Sequence, residues 1–286
     1  MQIHFYLILL LFYLLPAANK LPGNGYLIDS TKEDSLIFSG KVQHLTVFDK
    51  YPDNKLLVKT GESFLGTLYL GKTLEKGDSE TLVINLREFD CTTFVESCMA
   101  LSLAIKSEEP TFERFAESLI KIRYRDGKIN GYTSRLHYFT EWISDNQKKG
   151  LITDITKELG GIPFDKRIDF MSTHPNSYMQ LANDPSLIDK IHEIENNISR
   201  SPHYYIPKEE VKSIEHKLKD GMIVAITTSL NGLDIIHTGI LISEKGRIHL
   251  LHASSDCKKV VISEKPLEEY LLGNKLQTGI MVLKVN

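Results

Sequence analysis

The chain has 286 residues, 42% of them hydrophobic, enough apolar material for one large folded unit or two smaller ones without disulfide staples. Its formal charge is −3, with Lys and Arg spread along the chain, so a nucleic-acid partner is not expected. Three cysteines are present, Cys91, Cys98 and Cys257.

Residues 2–15 form an apolar block that ends in Pro16-Ala17-Ala18, after which the sequence turns polar. The block is shorter than the roughly 20 apolar residues a spanning helix needs, so residues 1–18 read as a signal peptide. The expectation is an exported, periplasmic protein that starts near Asn19 and has no membrane span in its mature form. Cys91 and Cys98 are seven positions apart; on a helix that is about 10 Å, too far to bridge. A Cys98–Cys257 pair is open in principle, but an odd count leaves a free thiol in any scheme.

Ser30-Thr31-Lys32-Glu33 resembles a capping box and predicts a first helix carrying Leu36, Ile37, Val42 and Leu45. A second apolar segment, 56–70, contains Gly66-Thr67-Leu68-Tyr69, and 71–80 is polar and loop-like. Next comes Arg87-Glu88-Phe89-Asp90-Cys91-Thr92-Thr93-Phe94-Val95-Glu96. Asp90 suits a helix N-cap, and Phe94, Val95, Cys98, Met99 and Ile105 recur at helical spacing. Cys91 would then sit at the positive end of the helix dipole, which favours a thiolate. The alternative is a small buried core residue.

Between 91 and 210 the pattern is mainly helical, with one amphipathic helix through Phe112, Phe115, Leu119 and Ile122 and another through Leu136, Phe139 and Ile143. Asp126-Gly127 and Asn130-Gly131 mark an ordered loop crowded by Arg125, Tyr132, Arg135 and His137. Such a loop reads either as a polar ligand contact or as a solvated face. From 222 onward the period changes to that of strands: 222–228, 233–242, 248–253, 259–262 and 279–285. The whole reads as α+β, with helices first and then a meander of five antiparallel strands.

Pairing Ser243 with Ile248 across the turn puts Gly239 opposite His252, and His237 falls on the same face, diagonal to His252. His249 points the other way, and a slip of one residue would separate the two rings. A cysteine nucleophile needs a base, and the base needs a third group to hold its tautomer. Cys91, His237 and His252 can fill those roles. Zinc is a competing use, but neither a C-x-x-C nor an H-E-x-x-H spacing occurs, so no metal or other cofactor is expected.

At Asp90-Cys91-Thr92-Thr93-Phe94-Val95, His237-Thr238-Gly239-Ile240 and Leu251-His252-Ala253-Ser254 the sequence resembles the NlpC/p60 superfamily of cell-wall cysteine peptidases and amidases. The resemblance implies a papain-like core, with residues of about 107–210 as a helical insertion in one domain spanning 19–286. Gly66-Thr67-Leu68-Tyr69 stands where that superfamily has G-x-P-Y, which implies that Tyr69 helps form the oxyanion hole. Leu68 replaces the usual proline, and Thr93 the usual glycine. The likeness is closer to the DUF-1460 branch, through Leu86 to Glu96, Tyr124 to Gly127, Gly131 to Tyr138, Tyr204 to Lys208 and Leu250 to Ser255.

That branch implies an N-acetylmuramoyl-L-alanine amidase acting on muropeptides, with a preference for anhydro-muramyl ends and peptidoglycan fragments as partners. Asp90, Thr92, Arg125, Tyr132 and Arg135 are the expected substrate contacts. The alternatives are a γ-D-glutamyl-diamino-acid endopeptidase and a catalytically silent muropeptide-binding protein.

Overall fold

The computed structural model describes residues 19–20, 27–77 and 79–286, so the apolar block assigned to a signal peptide lies outside the described residues. Helix α1, Lys32–Leu45, opens on a capping box closed by Thr31 and Asp34, one position later than the sequence pattern suggests. The Asp34 carboxylate accepts from the Thr31 N–H at 2.8 Å and also from the Leu86 N–H at 2.8 Å. One buried acid thereby caps the helix and ties it to the approach to the cysteine stretch.

Helix α2, Asp53–Ser63, leads into the short strand β1, Leu68–Tyr69; β2, Glu88–Phe89, runs straight into helix α3, Cys91–Ile105. There follow α4, Phe112–Arg123; α5, Phe139–Lys148; α6, Met179–Asn183; and α7, Ser186–Arg200. The strand-rich part comprises β3, Tyr204–Pro207; β4, Ile223–Thr228; β5, Ile235–Glu244; β6, Arg247–Ser254; and β7, Lys259–Ile262. Helix α8, Leu267–Leu272, and β8, Gln277–Val285, complete it.

The main sheet has the order β2-β1-β7-β6-β5-β4-β8-β3, with the two-residue strand Ile162–Pro163 paired beyond β3. Strands β4 to β7 form the expected meander, but β8 does not continue it. The free edge of β7 is taken by β1, through Lys259 opposite Leu68, so the chain crosses over by way of α8 and β8 pairs beside β4 instead. The stretch 107–210 is not wholly helical either. Ile152–Asp154 and β3 both pair with β8 and close off an edge that would otherwise expose unpaired backbone groups.

The sheet is buried on both faces, which is why its strands read as nearly continuous apolar runs. Alternate residues divide between two cores: Ile223, Ala225, Ile240 and Leu251 pack with Phe94, Val95 and Cys98 of α3, while Val224, Ile226, Leu241 and Leu250 pack with Leu267 and Leu271 of α8. A third cluster, with Tyr132, Tyr138, Met171, Leu181 and Ile191, holds the middle of the chain together. Across α3, α4 and α5 a buried polar knot fixes the helices. The Arg123 guanidinium donates to Glu96 at 2.7 Å, and the indole N–H of Trp142 donates to the same carboxylate at 3.3 Å. No helix among the described residues is long and apolar enough to cross a membrane.

Candidate active site

Cys91 occupies the first position of α3 because the chain leaves β2 through Asp90 in extended conformation and Asp90 caps the helix. The Asp90 carboxylate accepts from the Thr93 N–H at 2.8 Å, and the Thr93 hydroxyl accepts from the Asp90 N–H at 2.9 Å. Thr93, which stands where the family pattern has glycine, is therefore the closing member of a capping box. Asp90 is occupied in the same way. The expected substrate contact at Asp90 is a helix cap instead.

The cap also changes the chemistry of the thiol. Burial, followed by the adjacent Asp90 carboxylate, pushes Cys91 up to about 12, against hydrogen bonds from the Thr238 N–H and from Thr92 that pull it down. Burial, more than the carboxylate at the positive end of the helix, works against the thiolate that the helix dipole alone would favour. The resting group is a half-buried thiol. Thr92 lies beside it, hydrogen-bonded to the sulfur, and lines the same cavity. Cys98 is fully buried in the core, Cys257 is exposed, and all three cysteines are free.

Register places the other groups. Pairs Ser243–Ile248 and Ile240–Leu251 continue to Gly239 opposite His252, as the sequence reading expects. The His237 and His252 rings lie 4.8 Å apart at 85°, and His237 Nε2 is 2.6 Å from His252 Nδ1. That contact engages Nε2; with the proton on Nε2 and donated to His252, His237 Nδ1 is left as an acceptor.

Burial lowers His237 to about 4, opposed by the Asp256 carboxylate in the turn after β6. Burial and then His237 itself lower His252 to about 3. Both imidazoles are neutral at pH 7. Gly239 makes the pairing possible, since a Cβ there would stand 3.0 Å from His252 Cβ and 2.7 Å from Leu250. Gly239→Ala should cost about 1–3 kcal/mol of stability, read by urea unfolding, as overpacked sites do. An unchanged midpoint would refute the tight fit.

Tyr69 is brought in by parallel pairing of β1 with β2, which sets it opposite Phe89, two residues before Cys91. Burial, with Cys91 and Asp90 as further causes, raises its hydroxyl to about 12, so it remains a hydrogen-bond donor. Cys91 and His237 line one cavity of about 100 Å³, walled by Leu136, Phe139 and Leu233. His137, which the sequence reading places in the crowded loop, and Asp234, which it does not single out, also line it. The His137 Nε2 faces the Tyr132 carbonyl at 2.9 Å, so Nε2 donates and Nδ1 is an acceptor. Asp234 accepts from the Thr140 N–H at 2.8 Å and so pins the start of α5 to the start of β5. The crowding of His137 near Tyr132 is visible in sequence, whereas the Asp234 contact spans 94 positions and leaves no local signal.

The two expected arginine contacts lie elsewhere. Arg125 is spent on Glu141 at 2.8 Å and the Thr133 carbonyl at 2.7 Å. Arg135 is buried, pairs with Glu75 at 2.7 Å, and lies 5.1 Å over the Tyr132 ring. Both brace the loop through these carboxylate pairs. Tyr132 does reach the neighbourhood, its ring 4.3 Å from that of His137. The described residues include no cluster of His, Cys, Asp or Glu suited to holding a metal ion.

The family model for AmiA-like, N-acetylmuramoyl-L-alanine amidase-like proteins matches residues 59–280. The chain belongs to this AmiA-like family. A crystal structure of an N-acetylmuramoyl-L-alanine amidase from Bacteroides uniformis shares 41% identity with the AmiA-like chain, over 82% of this chain and 99% of that one, with a TM-score of 0.79. A Bacteroides fragilis structure, provisionally described as a xylanase, shares 41% identity over 79% and 100%, with a TM-score of 0.76. A Legionella pneumophila protein of the DUF1460 family model has the same fold at 22% identity, over 87% and 94%, with a TM-score of 0.64. No curated protein matches the chain. Glycosidases commonly use two free carboxyl groups flanking the bond, whereas Asp90 and Asp234, the acids placed at this AmiA-like site, are committed to capping helices.

Proposed function

We propose that the protein is an exported, periplasmic cysteine amidase with an NlpC/p60-type mechanism, cleaving the bond between the lactyl group of N-acetylmuramic acid and L-alanine in muropeptides with anhydro-muramyl ends. The observation that carries the reading is the His237–His252 contact of 2.6 Å beside a cavity that Cys91 shares with His237. The carbons flanking the scissile amide each carry a methyl as side group, which suits a cavity of about 100 Å³ with Leu136, Phe139 and Leu233 in its walls. Membership of the AmiA-like family and likeness to the Bacteroides uniformis amidase support the same bond.

In this mechanism His237 Nδ1 takes the thiol proton as Sγ attacks the lactyl carbonyl carbon. The oxyanion is met by the Tyr69 hydroxyl and by the Cys91 N–H, which the first turn of a helix leaves without an intrahelical partner. Collapse breaks the C–N bond, and the proton passes from His237 to the alanine nitrogen, leaving a thioester. Water then attacks with its proton going to His237, the C–S bond breaks, and the thiol is restored with release of the lactyl acid. Because His252 is a neutral acceptor, it steadies the His237 imidazolium by one hydrogen bond and contributes no counter-charge.

A map of the cleavage site tests the reading: mass spectrometry of digested anhydro-muropeptide should show free peptide beginning at L-alanine. A product that keeps L-alanine on the sugar would replace it with the endopeptidase assignment. The pH dependence is a second check. Both histidines titrate below their usual 6.5, so kcat/KM should be flat between pH 6 and 8, with an acid limb whose midpoint is near 4. Stability should follow the same sign. The unfolded chain takes up protons below pH 6.5 while the folded pair does not, so the stability contribution of the pair is complete above 6.5 and is lost as pH falls toward 4 and 3. A bell-shaped profile with a step near 6.5 would contradict the neutral pair.

A further inference from the structure

Behind the histidine pair stands a tyrosine that the chemistry above does not use. Helix α8 is seated on the sheet by Leu267 and Leu271, and Tyr270, three positions after Leu267, falls on the same face. Its ring meets that of His252 edge-to-face, with centroids 5.6 Å apart at 78°. His252 is 2% exposed while Tyr270 is half-buried, so the tyrosine is the solvent side of this contact.

The His252 imidazole needs a support of this kind. Rotation of a histidine ring about its Cβ–Cγ bond is broad and roughly two-fold, and half a turn puts a carbon where Nδ1 was. Among the described residues the ring has one hydrogen bond, that with His237. The cross-strand neighbours add no polar grip, since Gly239 has no side chain and Val261 is apolar. Burial, with Asp256, Cys91 and Cys257 as further causes, raises the Tyr270 hydroxyl against a hydrogen bond with Gln277, so Tyr270 is neutral at pH 7. The titratable groups around the pair are thus Tyr270 from α8, Asp256 and Cys257 from the turn after β6, and Cys91 from α3.

We propose that Tyr270 is a positioning residue for this pair: its ring keeps water from His252 and holds the imidazole in the rotation that turns Nδ1 to His237. The proposal rests on the amidase reading for the part His237 plays. Tyr270 touches neither the thiol nor the cavity that Cys91 and His237 line, and it acts through His252. The ring does this work, and the hydroxyl is not needed for it.

The test compares Tyr270→Phe and Tyr270→Ala with the wild-type chain on an anhydro-muropeptide. Tyr270→Phe keeps the ring, and should keep kcat and an acid limb with its midpoint near 4. Tyr270→Ala should lose about tenfold in kcat at pH 7 with KM unchanged, less than removal of the base itself, and its acid limb should move up by about one unit as water reaches the pair. An unmoved limb in Tyr270→Ala, or a phenylalanine variant as impaired as the alanine one, overturns the proposal. If no chain cuts the substrate, the amidase reading fails on its own, and nitrogen NMR of the histidine rings at pH 7 decides for Tyr270. His252 should then show one tautomer, protonated on Nε2, in the wild type and in Tyr270→Phe, and averaged ring nitrogens in Tyr270→Ala; the same His252 shifts in all three overturn the proposal. Should Tyr270→Ala fail to fold, Tyr270→Leu takes its place in both measurements with the same expected results.

Discussion

Replacing His237 by alanine should lower kcat/KM on a muramoyl-L-alanine substrate by about 10²- to 10⁴-fold at pH 7, the range that a positioned general base supplies. The loss should fall in the upper part of that range because the thiol has no standing thiolate to fall back on: with Cys91 pushed up to about 12, nearly every molecule is protonated. The variant should regain rate with rising pH, about tenfold per unit, as ionisation of the thiol replaces proton transfer to the imidazole. His252→Ala should be milder, because His252 acts through His237 at 2.6 Å, and it should show itself as a displaced acid limb. Retention of more than a tenth of the wild-type rate in His237→Ala would remove His237 from the mechanism.

Removing the Glu96 side chain should cost about 3–5 kcal/mol of folding stability. The pair it forms with Arg123 is almost wholly enclosed, with side-chain exposures of 2% and 3%. Glu96→Ala strands a guanidinium whose other contact is the Val83 carbonyl at 2.7 Å, and it also frees the Trp142 indole N–H. Breaking one partner of a buried pair is far more damaging than replacing both. A double variant with Glu96 and Arg123 changed to apolar residues of similar volume should therefore recover most of the loss. Urea unfolding of the single and double variants measures this, and a single-variant loss below 1 kcal/mol would show that the knot is not holding α3 to α4.

The meeting of the two histidines was legible because strands obey a two-residue period. Pairing Ser243 with Ile248 was enough to bring His237 and His252 to one face, and the turn at 244–247 fixes that pairing locally. Asp90 as a helix cap was legible for the same local reason. The state of the thiol was not, because the burial that raises Cys91, with the capping carboxylate second, depends on how the rest of the chain encloses the helix start. Thr93 had no meaning until its hydroxyl was seen closing the cap.

The pairing of Arg125 with Glu141 and of Arg135 with Glu75 was not legible, because a loop arginine engaged to a carboxylate has the same local sequence as one that meets a ligand. The placement of β8 beside β4 was hidden for a different reason. It depends on β1, a two-residue strand about 190 positions earlier, having taken the edge of β7. Interactions of that range leave no period in the sequence.

The central claim is that Cys91 breaks the lactyl–alanine bond, and cleavage-site mass spectrometry of wild-type and Cys91→Ala on the same anhydro-muropeptide tests it most directly. The wild-type chain should release peptide beginning at L-alanine, and Cys91→Ala, with an unchanged melting temperature, should leave the substrate intact. Release of the same peptide by folded Cys91→Ala would contradict the account.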